Sequence, residues 1–100
     1  MLQHVVAITW NDQVPPNYAE TVSAVLQEMA SHISSVREYH CGPDLGVSTA
    51  VNADYLIVAT FDDVDGWRQY DEDASHNEIR AKYFKPVSYT HLTLPTILRV

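Results

Sequence analysis

Histidines are the side chains of this sequence best suited to proton transfer. They are His4, His32, His40, His76 and His91. An imidazole, whose pKa lies near neutrality, can remove a proton next to a carbonyl, and a tyrosine hydroxyl can hydrogen-bond the enolate oxygen that forms. The first four of these histidines have none of the short spacings of a zinc site. Because acid–base chemistry of this kind needs no cofactor, we expect neither a metal nor another cofactor.

Other residues with chemical potential form weaker patterns. An acidic run could attract a calcium or magnesium ion, or could equally be the solvated rim of a helix. It comprises Asp62, Asp63, Asp65, Asp71, Glu72 and Asp73. Cys41 is the only cysteine, so no internal disulfide can form, and we expect it to pack as a small hydrophobic residue. The 3 glycines are too scattered for a phosphate-binding loop.

Length and charge limit the classes of protein to consider. A chain of 100 residues with 46% apolar content is the size of one globular domain. A net charge of -7 disfavours binding to nucleic acid or to an anionic membrane. We find neither a signal-peptide pattern nor an apolar run near the ~20 residues of a membrane-spanning helix. We therefore expect a cytoplasmic protein.

Hydrophobic periodicity predicts the first four elements. Alternating residues predict strands over 2–10 and 36–41, and residues 55–61 are typical of a buried central strand. Between the first two strands, Asn17 and Glu20 form a capping-box pattern at the start of a helix. Apolar residues then recur at helical spacing and form one stripe. They are Tyr18, Val22, Val25, Leu26, Met29 and Ile33.

Two short helices are predicted next. Asp62 and Asp63 suit the start of the first, and Ser75 with Glu78 forms a capping box for a second helix over roughly 76–84. The order β-α-β-β-α is typical of a ferredoxin-like α+β domain with an antiparallel sheet. Its first and third strands are apolar on both faces, so we expect the helices on one side and a second copy of the chain on the other.

The C-terminal segment has an unusual sequence. Residues 87–96, VSYTHLTLPT, match a translation of a transposon-end adapter used to prepare sequencing libraries. We therefore predict a domain over 1–86 and a non-native tail over 87–100, with the natural fourth strand missing, and we exclude His91 from the candidate site. The alternative, a genuine strand, is compatible with the β-forming residues of this segment.

Several short motifs together resemble one family. They are HVV at 4–6, CGPD at 41–44, YLIVATFDD at 55–63 and the QY…ASH segment that ends at His76. In order and spacing these motifs resemble the stress-responsive A/B barrel domain (Dabb), a dimeric α/β barrel. The resemblance covers roughly residues 3–86 and implies a homodimer. Cys41 stands where the family commonly has an aromatic residue, and DASH at 73–76 where it usually has HPAH.

The resemblance also implies a candidate site. Some enzymes of the family are polyketide cyclases of the olivetolic acid cyclase type, which act without a cofactor. By this resemblance His76 is a catalytic histidine and Tyr70 its partner. His4 and Tyr55 would contact the substrate. From the residues alone, His76 could instead frame a helix start, and His4 could be a core histidine bonded to a backbone carbonyl.

Three functions remain open at this point, and the sequence does not decide whether the protein is an enzyme. The first is a pocket for an aromatic or polyketide-like molecule, with cofactor-independent cyclase- or lyase-like chemistry. The second is a non-catalytic, stress-related dimer with a filled interior. The third is a cofactor-free monooxygenase of the antibiotic-biosynthesis type, for which we expect a pocket around Trp10 and Trp67.

Overall fold

The computed structural model describes residues 1–45, 53–93 and 97–98. Its strands are β1 (Leu2–Trp10), β2 (Glu38–Pro43), β3 (Tyr55–Phe61), β4 (Ser88–Thr93) and the short β5 (Ile97–Leu98). Its α-helices are α1 (Tyr18–Ser31), α2 (Val64–Asp71) and α3 (Ala74–Ile79). A π-helical turn (Arg80–Phe84) and a 3₁₀ turn (Lys85–Val87) connect α3 to β4.

The strands form one antiparallel sheet. Their order is β2-β3-β1-β4, and β5 also pairs with β1. With α1 between β1 and β2 and the short helices between β3 and β4, this is the ferredoxin-like arrangement, so the predicted α+β fold class is confirmed.

The central strands β1 and β3 separate an inner face from an outer face. On β1 the buried residues Leu2, His4 and Ile8 alternate with residues that are only partly covered. His4 lies opposite Ala59 of β3, which is itself fully buried. Because successive strand residues point to opposite faces, His4 is directed into the core beneath the helices.

Helix α1 covers the inner face. Its buried residues are Val22, Leu26, Met29 and Ala30, which confirms the predicted stripe. The predicted capping box is wrong, because Asn17 adopts a left-handed conformation (φ 59°) and its side chain makes no cap hydrogen bond. Asparagine tolerates this conformation better than most residues.

The boundaries of the later elements differ from their predictions. Strand β2 begins at Glu38 rather than Val36, because the Val36 amide donates to the Ile33 carbonyl (3.2 Å) in the turn after α1. The predicted second short helix is divided into α3 and the π-helical turn. Asp73, not Ser75, caps α3: its carboxylate accepts from the His76 amide at 3.0 Å.

Residues of the predicted non-native tail form a fourth strand. Strand β4 pairs with β1 from Val6 to Trp10, and Val87 just before it is buried. Backbone hydrogen bonds along an open strand edge are available to any chain that can extend there. Pairing therefore does not bear on the origin of the segment, and the non-native tail stays a prediction.

No helix in the described part of the chain is long and apolar enough to cross a membrane.

Candidate functional site

A cavity of about 250 Å³ opens beside the inner face of the sheet, where α2, α3 and the π-helical turn meet it. Much of its wall is apolar, formed by Val6, Ile8, Leu26, Ile57, Ile79 and Phe84. Histidine, tryptophan and tyrosine side chains also line it, namely His4, Trp67, Tyr70 and His76. The cavity thus combines an apolar wall with a few convergent polar groups, which is typical of small-molecule sites.

His76 and Tyr70 come together through the turn between α2 and α3. Tyr70 lies near the end of α2, and Asp73 starts α3 after a break. Across this break the Tyr70 and His76 rings lie 4.2 Å apart between centroids. The Asp73 cap holds the backbone of His76, while Tyr70 (2% exposed) packs against its imidazole.

His4 reaches the same cavity from β1. Its ring lies 5.6 Å from that of Trp67 and 6.4 Å from that of Tyr70, measured between centroids. The structure therefore brings together three of the predicted site residues, His4, Tyr70 and His76. Trp67 joins them through the helical spacing that places it one turn before Tyr70 on α2.

Three buried polar atoms of these side chains have no hydrogen-bond partner among the described residues. They are His4 Nε2, Trp67 Nε1 and His76 Nδ1. Buried polar groups in proteins are nearly always hydrogen-bonded, so three such atoms around one cavity are unusual. The arrangement is what a site requires if a bound molecule supplies the missing partners.

Burial keeps both imidazoles in their neutral form. Loss of solvation lowers the pKa of His4, and the nearby Asp71 carboxylate opposes this effect. Loss of solvation also lowers the pKa of His76, with a further contribution from the Arg80 guanidinium, while Asp71 again acts in the opposite direction. At neutral pH each imidazole can therefore accept a proton.

The Tyr70 hydroxyl has a partner that the sequence did not indicate. It lies 3.3 Å from the Tyr39 hydroxyl of β2, and either atom could be the donor. Burial raises the pKa of Tyr70 to about 12, although the hydrogen bond with Tyr39 lowers it in part. Tyr70 therefore keeps its proton at neutral pH. Alternation along β2 places Tyr39 on the inner face, which is the only sequence signal that could have identified it.

Tyr55 does not join this group. Its hydroxyl bonds to Ser23 Oγ at 2.6 Å, and its ring packs near Trp10 and Phe84. It is fully buried and is not part of the cavity wall. The predicted contact between Tyr55 and a substrate therefore has no support from the geometry of the described residues.

Several residues of the acidic run have structural roles. Asp63 caps α2 by accepting from the Gly66 amide at 2.9 Å, and Asp62 pairs with Arg37 at 2.6 Å. In the described part of the chain, no three His, Cys, Asp or Glu side chains come together as a metal site requires. Cys41 is a half-buried free thiol that accepts a long contact (3.6 Å) from Gln27.

Charged residues at the cavity mouth were missed by the sequence analysis. Arg80 and Lys85 line it as cations, and Asp71 lines it as a carboxylate. Arg80 and Lys85 are exposed. Since their positions depend on the π-helical turn, a search for α-helical spacing could not group them.

The fold and cavity define a class of ferredoxin-like α+β domains with a pocket between sheet and helices. The sequence model of the stress-responsive A/B barrel domain (Dabb) matches residues 2–94. The chain belongs to this family. No curated protein matches the chain.

Solved structures resemble the chain over nearly its whole length. A dimeric ferredoxin-like protein from Thermobifida fusca is 28% identical, with a TM-score of 0.84 over 96% of this chain and 88% of that one. A Dabb family protein from Mesorhizobium loti is 13% identical, with a TM-score of 0.79 over 99% and 96% of the two chains. The hydroxynitrile lyase from Passiflora edulis is 19% identical, with a TM-score of 0.78 over 96% and 90%. At 13% and 19% identity, the Mesorhizobium loti and Passiflora edulis structures show only that the fold is shared.

Proposed function

We propose that the protein is a homodimeric α/β barrel whose cavity binds a small aromatic or polyketide-like molecule and transfers a proton on it without a cofactor. In this proposal His76 is the base, Tyr70 is a proton or hydrogen-bond donor, and His4 contacts the ligand. The observation that carries it is the convergence of these three side chains on one apolar cavity, with a ring nitrogen of each histidine lacking a protein partner among the described residues.

The cavity size supports a ligand with one ring. An apolar protein cavity of about 150 Å³ accommodates benzene. The cavity here, at about 250 Å³, has room for one aromatic ring with a few substituents. A long polyketide chain would extend through the mouth into solvent.

The protonation states support base catalysis. The pKa of His76 is lowered by burial, so the imidazole is neutral and its free lone pair can accept a proton from a carbon next to a carbonyl. Tyr70 retains its proton because its pKa is raised to about 12. If Tyr39 donates to the Tyr70 oxygen, the Tyr70 proton is available to the enolate oxygen that develops.

Proton exchange on a simple ketone tests this chemistry without knowledge of the natural substrate. Acetophenone has one aromatic ring and methyl protons that can be removed as an enolate forms. We expect the protein in D₂O to accelerate loss of the methyl signal in the proton NMR spectrum. His76→Gln should remove most of this acceleration, since a positioned base contributes about 10² to 10⁴ in rate.

A matched histidine elsewhere gives the control. His32 lies after α1 and is exposed, with its imidazole 3.3 Å from Glu28. His32→Gln should leave the exchange rate unchanged, and Tyr70→Phe should reduce it less than His76→Gln does. Equal rates for wild type and folded His76→Gln would refute the assignment of His76 as the base.

The outer face of the sheet supports the dimer. Val5 lies opposite Val58, and Ala7 lies opposite Leu56, which makes one apolar patch across β1 and β3. Leu56 is 43% exposed in the single chain. Covering such a surface is favourable by about 25 cal/mol per Å². The Thermobifida fusca relative is described as dimeric, which supports a second copy as the cover.

The free thiol of Cys41 supports a reducing compartment, and we propose the cytoplasm.

The two other functions have less support. A purely structural dimer would have a filled interior, and the cavity argues against that. A monooxygenase pocket was expected around both tryptophans, but only Trp67 lines the cavity. Trp10 packs against Tyr18 and Phe84 instead. The lyase activity named for the Passiflora edulis protein is compatible with proton transfer by His76.

A further inference from the structure

The cavity mouth gathers positive charge in an acidic protein. The chain has 6 lysines and arginines against 13 acidic residues. Three of these cations, Arg80, Lys82 and Lys85, lie within six residues of each other in the segment after α3. Two of them, Arg80 and Lys85, line the cavity.

The π-helical turn is what places these two cations together. The Lys85 amide donates to the Arg80 carbonyl, the i to i+5 bond that defines a π turn. This bond stacks Lys85 above Arg80 on the same side of the helix, whereas an α-helical turn would rotate Lys85 away. Single π turns inside helices occur frequently at functional sites.

These cations also differ from Arg37 and Arg68 in their partners. Arg37 pairs with Asp62 at 2.6 Å, and Arg68 with Asp65 at 3.4 Å. Arg80 instead donates to the side-chain amide oxygen of Asn77 at 3.1 Å. In the described part of the chain neither Arg80 nor Lys85 forms an ion pair with a carboxylate.

We infer that the ligand of this cavity is a small monocyclic aromatic carboxylate, with its ring against the apolar wall and its carboxylate between Arg80 and Lys85. The inference rests on the proposed pocket function. The mouth holds two cations and the single carboxylate of Asp71, which leaves one positive charge for one ligand carboxylate. A guanidinium beside an ammonium binds a carboxylate through charge-assisted hydrogen bonds.

Benzoate and benzamide test the inference, because they share size and shape and differ in charge. We expect calorimetric titration to show benzoate binding about tenfold more tightly than benzamide, the factor expected for one charge-assisted hydrogen bond. Added salt should lower the affinity for benzoate and leave the affinity for benzamide unchanged. Arg80→Gln and Lys85→Gln should each weaken benzoate binding about fivefold to tenfold and weaken benzamide binding less, because the neutral amide oxygen makes weaker hydrogen bonds to the same groups. Arg80→Lys should retain part of the benzoate affinity.

Lys82 provides the matched control. It lies in the same turn with its ammonium 5.4 Å from the centre of the Tyr83 ring, and it is outside the cavity wall. Lys82→Gln removes the same charge and should leave both affinities unchanged. Equal loss of benzoate affinity in Lys82→Gln and Arg80→Gln would overturn the inference, since it would show a general charge effect. Equal affinities for benzoate and benzamide would refute the inferred carboxylate site, while the proposed pocket function would still hold. Absence of binding by both would refute the pocket itself.

Discussion

Asp73→Ala should separate the stability of the helix start from the positioning of His76. The Asp73 carboxylate accepts from the His76 amide at 3.0 Å and so begins α3 at the point where His76 enters the cavity. Removing an N-cap of this kind costs about 1 kcal/mol of folding free energy. For a domain of this size that corresponds to a fall in Tm of roughly 4–8 °C.

Asp63→Ala is the matched comparison. Asp63 caps α2 in the same way, through the Gly66 amide at 2.9 Å, but α2 holds no candidate base at that end. Both variants should therefore lose similar stability in urea denaturation. Only Asp73→Ala should also slow ketone exchange and move the pKa of His76 upward toward its ordinary value, because a frayed α3 lets water reach the imidazole.

NMR titration of the His76 ring measures the second effect directly. Asp73→Asn should restore both stability and the low pKa of His76, because asparagine is an equally good N-cap. If Asp63→Ala shifted the pKa of His76 as far as Asp73→Ala does, the proposed role of Asp73 in positioning His76 would be wrong.

Three further predictions concern the pH dependence of stability, the dimer and the C-terminal strand. The pKa values of His4 and His76 are below the ordinary 6.5 in the folded chain, so the unfolded chain binds protons first on acidification. The free energy of unfolding should decrease as the pH falls below about 6.5, and replacing both with glutamine should flatten this dependence in urea titrations. Leu56→Asp should give a folded monomer by light scattering, whereas a wild-type monomer at micromolar concentration would refute the dimer. Truncation after Pro86 removes a buried valine and the strand that pairs with β1. We expect the free energy of unfolding, measured in urea, to fall by at least about 2 kcal/mol. Unchanged stability would show that the strand is dispensable.

Local pattern in the sequence was enough to predict the main elements. Strands β1 and β3 have the predicted bounds, and the apolar stripe of α1 is buried as its spacing required. These elements are long and strongly periodic, so only one orientation of each element buries its apolar residues. The ferredoxin-like fold followed from their order. The grouping of Tyr70 with His76 followed from the family resemblance.

Tertiary structure alone decided the details that control the chemistry. Asp73 and Ser75 are both competent caps, and the path of the chain after α2 selects Asp73. Tyr39 meets Tyr70 only because β2 folds back beside β3 across many intervening residues. Tyr55, a buried strand residue like His4, bonds instead to a serine of α1.

The π-helical turn is the clearest case of a feature beyond local sequence reading. Arg80 and Lys85 are five residues apart, a separation that puts two side chains on different sides of an α-helix. The bond from the Lys85 amide to the Arg80 carbonyl inserts the additional residue that returns Lys85 to the side of Arg80. Almost any sequence can form such a backbone hydrogen bond. Its register here is therefore decided by how α3 and β4 join the sheet, and only the folded chain determines which charges meet at the cavity.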